Sequence, residues 1–188
     1  MFNNSFPAKL DSDLKIVLEL IPSKTFNNVS SAFYGDMIEY NLKDETVSIP
    51  YRMYFIDVDD TIYNQLTETQ KIILCCIYTR SCEGFIREKY LKKLLEIDFP
   101  YWAIPFIVKL CDEYVIEILY TTYDYLKGRD NSDIIEFCLD NKVIVNRGYN
   151  RMISYWNEFY RNREYQFHKY IGRTLYRECF GYNRSFQK

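Results

Sequence analysis

Hydrophobic positions change period once along this chain, near residue 67. Before that point the clearest pattern is alternation. Met37-Ile38-Glu39-Tyr40-Asn41-Leu42 alternates, Lys43-Asp44-Glu45 can turn, and Val47-Ser48-Ile49 resumes. Tyr51-Arg52-Met53-Tyr54-Phe55-Ile56 carries strand-favouring types onward, so the pattern predicts a β-hairpin over 37–56. Pro50 cannot donate a ladder hydrogen bond and marks an edge or a bulge. Upstream, residues 14–21 fit strand alternation through Leu14, Ile16, Leu18 and Leu20. They fit a short helix through Leu14, Val17, Leu18 and Ile21 equally well, and Pro22 ends the run either way. Asn27, Asn28, Ser30 and Ser31 then read as a loop.

From Thr67 onward the spacing is helical. Thr67-Glu68-Thr69-Gln70 is a capping box, in which each end satisfies one orphan backbone donor, and the helix it opens runs to about Thr79. Ser81–Gly84 breaks it. A second helix runs through Phe85, Tyr90, Leu91, Leu94 and Leu95, and Asp98-Phe99-Pro100 resets the chain. Two further helices cover 101–127 and stop at Gly128. Asp130–Asn141 is a shorter helix, with Ile134, Ile135 and Cys138 on one face. Lys142–Val145 reads as extended. Helices follow at about 149–161, with Tyr149, Met152, Ile153, Trp156, Phe159 and Tyr160 at helical spacing, and at 163–180, stopped by Gly181. The helix pairs in 68–127 look faintly like HEAT-type repeats, although no fixed period recurs. The fold class is therefore mainly α: an antiparallel helical bundle with a small N-terminal hairpin. The chain reads as one domain, a mixed segment 1–66 followed by a helical body 67–188.

Composition adds a bias. Tyrosine fills 19 positions and histidine one. Tyrosine brings large contact area with a polar tip, whereas histidine is the usual proton shuttle and metal ligand. The chain is thus built for packing and contact more than for acid–base chemistry. Six cysteines include no C-x-x-C pair, which argues against zinc and suits free thiols in a reducing cytosol. No signal-peptide pattern opens the sequence, and no apolar run is long enough to span a bilayer.

Charge is unevenly spread. Residues 1–146 carry 15 Lys and Arg against 23 Asp and Glu, a net of −8; residues 147–188 carry 9 against 3, a net of +6. Such asymmetry marks a binding surface or two parts that pack together.

Three constellations compete for function. The first is Tyr54-Phe55-Ile56-Asp57-Val58-Asp59-Asp60-Thr61-Ile62-Tyr63. It resembles the first motif of the haloacid dehalogenase-type phosphatases, an apolar strand followed by D-x-D-x-T. The resemblance implies a parallel α/β sheet and a magnesium ion. It implies Asp57 as nucleophile, Asp59 as general acid/base and Thr61 fixing the turn. The later motifs of that family do not follow: Val115–Thr122 can imitate its Ser/Thr strand but reads as well as a helix, and Asp130 and Asp133 flank a helix start. The plainer reading is a polar loop with Asp60 or Thr61 capping a turn.

The second constellation is the basic, aromatic C-terminal segment, in which Arg151 and Tyr155, and Arg173 and Arg177, lie one helical turn apart. Tyr149, Trp156, Tyr160, Tyr165, Tyr170 and Tyr182 are interleaved with further arginines. Basic groups on phosphates and rings on bases would suit nucleic acid, but a sequence pI near 5.6 opposes a dedicated nucleic-acid binder.

The third is a contact surface for another protein. Tyr114, Tyr120, Tyr123 and Tyr125 are dense, and Glu113 and Glu117, at i and i+4, share a helix face that reads as solvated, lacking the E-x-x-H companions of a carboxylate metal site. His168 stands alone and has no second histidine to share a metal with. The leading expectation is a non-enzymatic cytosolic protein-binding protein of the immunity or antitoxin type, without cofactor. Its acidic part would be drawn to a basic partner such as a toxin domain, with Asp57, Asp59, Asp60, Glu113, Glu117, Tyr120 and Tyr123 making the contact.

Overall fold

The computed structural model describes residues 2, 4–22, 25–26, 29–30, 33–163 and 166–187. Asn27, Asn28 and Ser31 of the expected loop, and Tyr165 of the basic segment, lie outside them. The protein is mainly α with a small antiparallel hairpin. It divides into two compact units, Met1–Phe106 and Ile107–Lys188. The division falls within a helix and not at the change of period near residue 67.

In unit 1, the ambiguous N-terminal run is helical: α1 spans Asp11–Leu20, burying Leu14 and Val17. Two short paired strands follow, β1 (Thr25–Phe26) and β2 (Val29–Ser30). The hairpin is β3 (Phe33–Leu42) and β4 (Glu45–Met53), joined by Lys43-Asp44. Its register places Tyr40 opposite Val47, and Tyr40, Leu42, Val47 and Ile49 are buried, as the alternation requires. Pro50 pairs with Met37 beside a bulge, where Gly35 and Asp36 face Tyr51 alone. Gly35 takes φ +84° and stands so close that a Cβ would meet Tyr51 Cβ at 3.1 Å, two reasons for glycine there. The hairpin does not reach Ile56. Strand β4 ends at Met53, whose backbone bonds to Arg80 O (2.8 Å) and Cys82 N (2.9 Å), and residues 54–59 continue outside any strand.

After α2 (Asp60–Gln65) the capping box opens α3 (Glu68–Tyr78): Thr67 Oγ1 accepts from Gln70 N, and Gln70 Oε1 accepts from Thr67 N. Every residue of α3 from Ile72 to Tyr78 is buried, so this helix is the centre of the unit. It packs on α1, with Gln70 Nε2 donating to Asp13 Oδ1 at 2.8 Å, and on α4 (Gly84–Leu95), where the Tyr78 and Tyr90 rings stack at 4.4 Å.

Helix α5 (Ile104–Leu110) contains the boundary. In unit 2, α6 (Ile116–Leu126) buries Ile118, Leu119, Thr122 and Leu126 and stops before Gly128, which takes φ +74°. Helix α7 (Ser132–Asp140) buries Ile134, Phe137 and Cys138. The expected extended stretch at 142–145 is not extended: α8 runs Lys142–Tyr155. Val143-Ile144-Val145 carries strand-favouring types. However, Val145, Tyr149 and Met152 are buried at helical spacing, and tertiary burial overrides local preference. The helix expected to reach 161 widens into a π turn at Trp156–Tyr160, and the last helix, α9, covers only Ile171–Glu178. Helix α9 packs on α6 and α8. No helix among the described residues is long and apolar enough to cross a membrane.

Candidate functional site

Residues 54–59 alternate as the sequence suggests. Met53, Phe55 and Val58 face inward while Tyr54 and Ile56 remain exposed. This segment carries Asp57 over α4. Asp57 Oδ2 accepts from Lys89 Nζ at 2.8 Å and its Oδ1 accepts from Tyr90 Oη at 2.6 Å, so both oxygens are taken. Asp60 Oδ1 accepts from Lys93 Nζ at 2.7 Å, with Lys89 3.6 Å away. The Lys93 ammonium also sits 3.9 Å from the centre of the Tyr63 ring. Asp59 is the N-cap of α2, its Oδ1 accepting from Thr61 N at 2.7 Å.

The electrostatics follow from these bonds. The Thr61 amide holds the Asp59 carboxyl below its usual range, and the Lys93 hydrogen bond does the same for Asp60. Burial works against the Lys89 charge, but the Asp57 hydrogen bond and charge outweigh it and its pKa rises. Burial, reinforced by Asp57, pushes the Tyr90 hydroxyl far up. Burial also raises the Cys75 thiol to about 12, well outside the range of a reactive cysteine.

This arrangement does not match the phosphatase motif it resembles. A parallel α/β sheet is not formed among the described residues, whose paired strands are antiparallel. Val115–Thr122 is not a strand but the start of α6. Nor do the carboxylates fit a magnesium ion: a lysine and a phenol occupy Asp57, and Asp59 is turned onto a backbone amide. Among the described residues, no group of three His, Cys, Asp or Glu side chains is gathered to hold a metal.

The expected protein-contact residues scatter. Asp59, Asp60, Glu117 and Tyr120 are exposed, Asp57 and Tyr123 half-buried, and Tyr123 donates to Glu178 at 2.8 Å. Glu113 corrects the expectation. It is buried in the turn between α5 and α6, so it neither shares a helix face with Glu117 nor offers itself to a partner. Of the nucleic-acid set, Arg151 reaches Asp112 Oδ2 at 3.3 Å, and Arg173 donates to His168 O at 3.3 Å. Arg177 is exposed, and Tyr155 packs edge-on to Tyr114. Tyr149, Tyr170 and Tyr182 are buried, which makes them core and not stacking platforms.

Unit 2 also carries a feature that spacing hid. Tyr114, Tyr155 and Phe159 form one ring cluster, with centroids 5.9 Å (Tyr114–Tyr155), 5.9 Å (Tyr114–Phe159) and 6.2 Å (Tyr155–Phe159) apart. Tyr114 is 49% exposed and Phe159 54%. The Tyr160 hydroxyl donates to the Tyr114 carbonyl, tying the π turn to the start of α6. An ideal α-helix through 149–160 would turn Phe159 toward the core. The extra residue of the π turn, closed by Arg161 N to Trp156 O at 2.8 Å, breaks that period and leaves the ring outside. No residue type in 156–160 announces the break. Lys89 and Lys93 were more accessible to sequence reasoning, being one helical turn apart, but nothing local ties them to Asp57 and Asp60.

No protein-family model, curated protein or solved structure matches this chain.

Proposed function

We propose that this chain works by binding another protein, without catalysis, through the aromatic surface where Tyr114 meets Phe159. The observation that carries the reading is a pair of half-exposed rings held in place by the Tyr160 bond to the Tyr114 carbonyl. Large aromatic rings are the side chains that most often dominate binding energy, and rings already ordered lose little entropy on docking. The acidic motif supports the same reading from the other side, because its carboxylates are engaged with Lys89, Tyr90, Lys93 and Thr61 instead of standing ready for a substrate. An inhibitor of the immunity or antitoxin type, acting on a basic protein in a reducing cytosol, is the concrete form suggested by the −8 net charge of residues 1–146 and by six unpaired cysteines.

The test is a paired affinity purification from the source cells with tagged wild type and Phe159→Asp, read by mass identification. A protein present with wild type and lost with the variant, at unchanged circular dichroism, is the expected result. Identical eluates overturn the reading. Magnesium-dependent hydrolysis of an aryl phosphate, lost in Asp57→Asn, would replace it with the phosphatase.

A further inference from the structure

We propose that residues 59–65, which include α2, are a strap latched by charge across the groove between α3 and α4, and that ions competing for the latch open it while the rest of unit 1 stays folded. The device is independent of the Tyr114–Phe159 surface in unit 2.

Burial is what usually fixes a helix to its neighbours, and α2 buries none of its side chains. Buried residues stand only at the two ends of the strap, Val58 before it and Leu66 after it. Between them Ile62 and Tyr63 are half-buried and the others are exposed. The contacts that hold the strap down are electrostatic. Asp60 Oδ1 lies 2.7 Å from Lys93 Nζ and 3.6 Å from Lys89 Nζ. The Tyr63 ring carries Lys93 Nζ of α4 at 3.9 Å and Lys71 Nζ of α3 at 5.5 Å from its centre, so it lies between the two helices. Beneath it is Cys75, one turn along α3 from Lys71. The Tyr63 hydroxyl and the Cys75 thiol interact, and Cys75 is wholly buried. A segment with little buried apolar surface belongs to the least stable part of a fold and opens by itself. Pairs as exposed as Asp60 with Lys93 are weakened by salt.

Each carboxylate of the acidic motif then has a separate task. Asp57 pins the root of the strap to Lys89 and Tyr90. Asp59 caps α2, which keeps the strap helical when it lifts. Asp60 is the latch, and Lys93 is its catch.

Hydrogen-exchange mass spectrometry and site-resolved alkylation of Cys75 in the full chain test this. Cys76, equally buried on the next position of α3, is the internal reference. Raising salt to about 1 M, where the Debye length shrinks to about 3 Å, should speed exchange in α2 but not in α3, and should speed labelling of Cys75 but not of Cys76. Lys93→Met removes one ion pair and one cation–π contact. It should raise Cys75 labelling about tenfold and abolish most of its salt dependence, at unchanged circular dichroism. Lys92→Met, one position away and paired with Glu88 instead, should behave as wild type. Exchanging the charges in Asp60→Lys with Lys93→Asp should bring back part of the protection. Exchange of α2 only together with α3, equal labelling of Cys75 and Cys76, or labelling of Cys75 indifferent to salt and to Lys93→Met overturns the proposal. The wild-type salt series decides alone if Lys93→Met does not fold.

Discussion

Tyr90 Oη lies 2.6 Å from Asp57 Oδ1, a contact across 33 residues that fastens the acidic segment to the middle of α4. The phenol is itself buried and stacked on Tyr78, so the bond joins the unit's core to its most acidic segment. Tyr90→Phe removes this one charged hydrogen bond with little change of shape. It should lower unfolding stability by about 1–2 kcal/mol, read as a shift of the urea midpoint at constant slope. A neutral result would mean that Lys89 alone holds Asp57.

The same phenols set the alkaline limit. Burial raises Tyr78 and Tyr90 above their ordinary 10.0 and Cys75 from 9.0 to about 12. In the unfolded chain these groups lose protons near their ordinary values, whereas in the fold they keep them. Stability is therefore whole below about pH 9 and declines as pH rises through the raised values. The raised Lys89 adds to it in the same direction. Urea midpoints measured from pH 7 to 11 should fall on the alkaline side, less steeply in Tyr90→Phe. A flat profile would contradict the burial of these groups.

Thr67→Ala deletes one half of the capping box at the start of α3. The orphan Gln70 amide then loses its acceptor, and the Gln70 carboxamide keeps only its bond to Thr67 N and to Asp13. A loss of about 1 kcal/mol is expected, with Thr67→Ser close to wild type by thermal melt.

Gly172 is a position where space decides. A Cβ there would stand 2.8 Å from Tyr170 Cε1 and 2.9 Å from Met152 Cγ and Sδ, where α9 meets α8. Gly172→Ala should cost about 1–3 kcal/mol through overpacking. Met152→Ala in the same chain should return part of that loss, a coupling that a double-mutant cycle measures.

Local patterns alone determined much of this protein: the β3–β4 hairpin from alternation, the start of α3 from Thr67 and Gln70, the stops at Gly128 and after α4, and the mainly helical class. These are short-range matters, fixed by hydrogen bonds and burial periods within a dozen residues. Tertiary structure decided the rest. Residues 14–21 became helix because α3 offers a surface that buries Leu14 and Val17. Residues 142–145 joined α8 because Val145 is buried on the same face as Tyr149 and Met152. The acidic motif was legible as a sequence, but its meaning depended on Lys89, Tyr90 and Lys93, some 30 residues away. Phe159 lies outside the core on a π turn whose single extra residue leaves no compositional trace, and the Tyr160 bond that ties this turn to the Tyr114 carbonyl joins positions 46 residues apart.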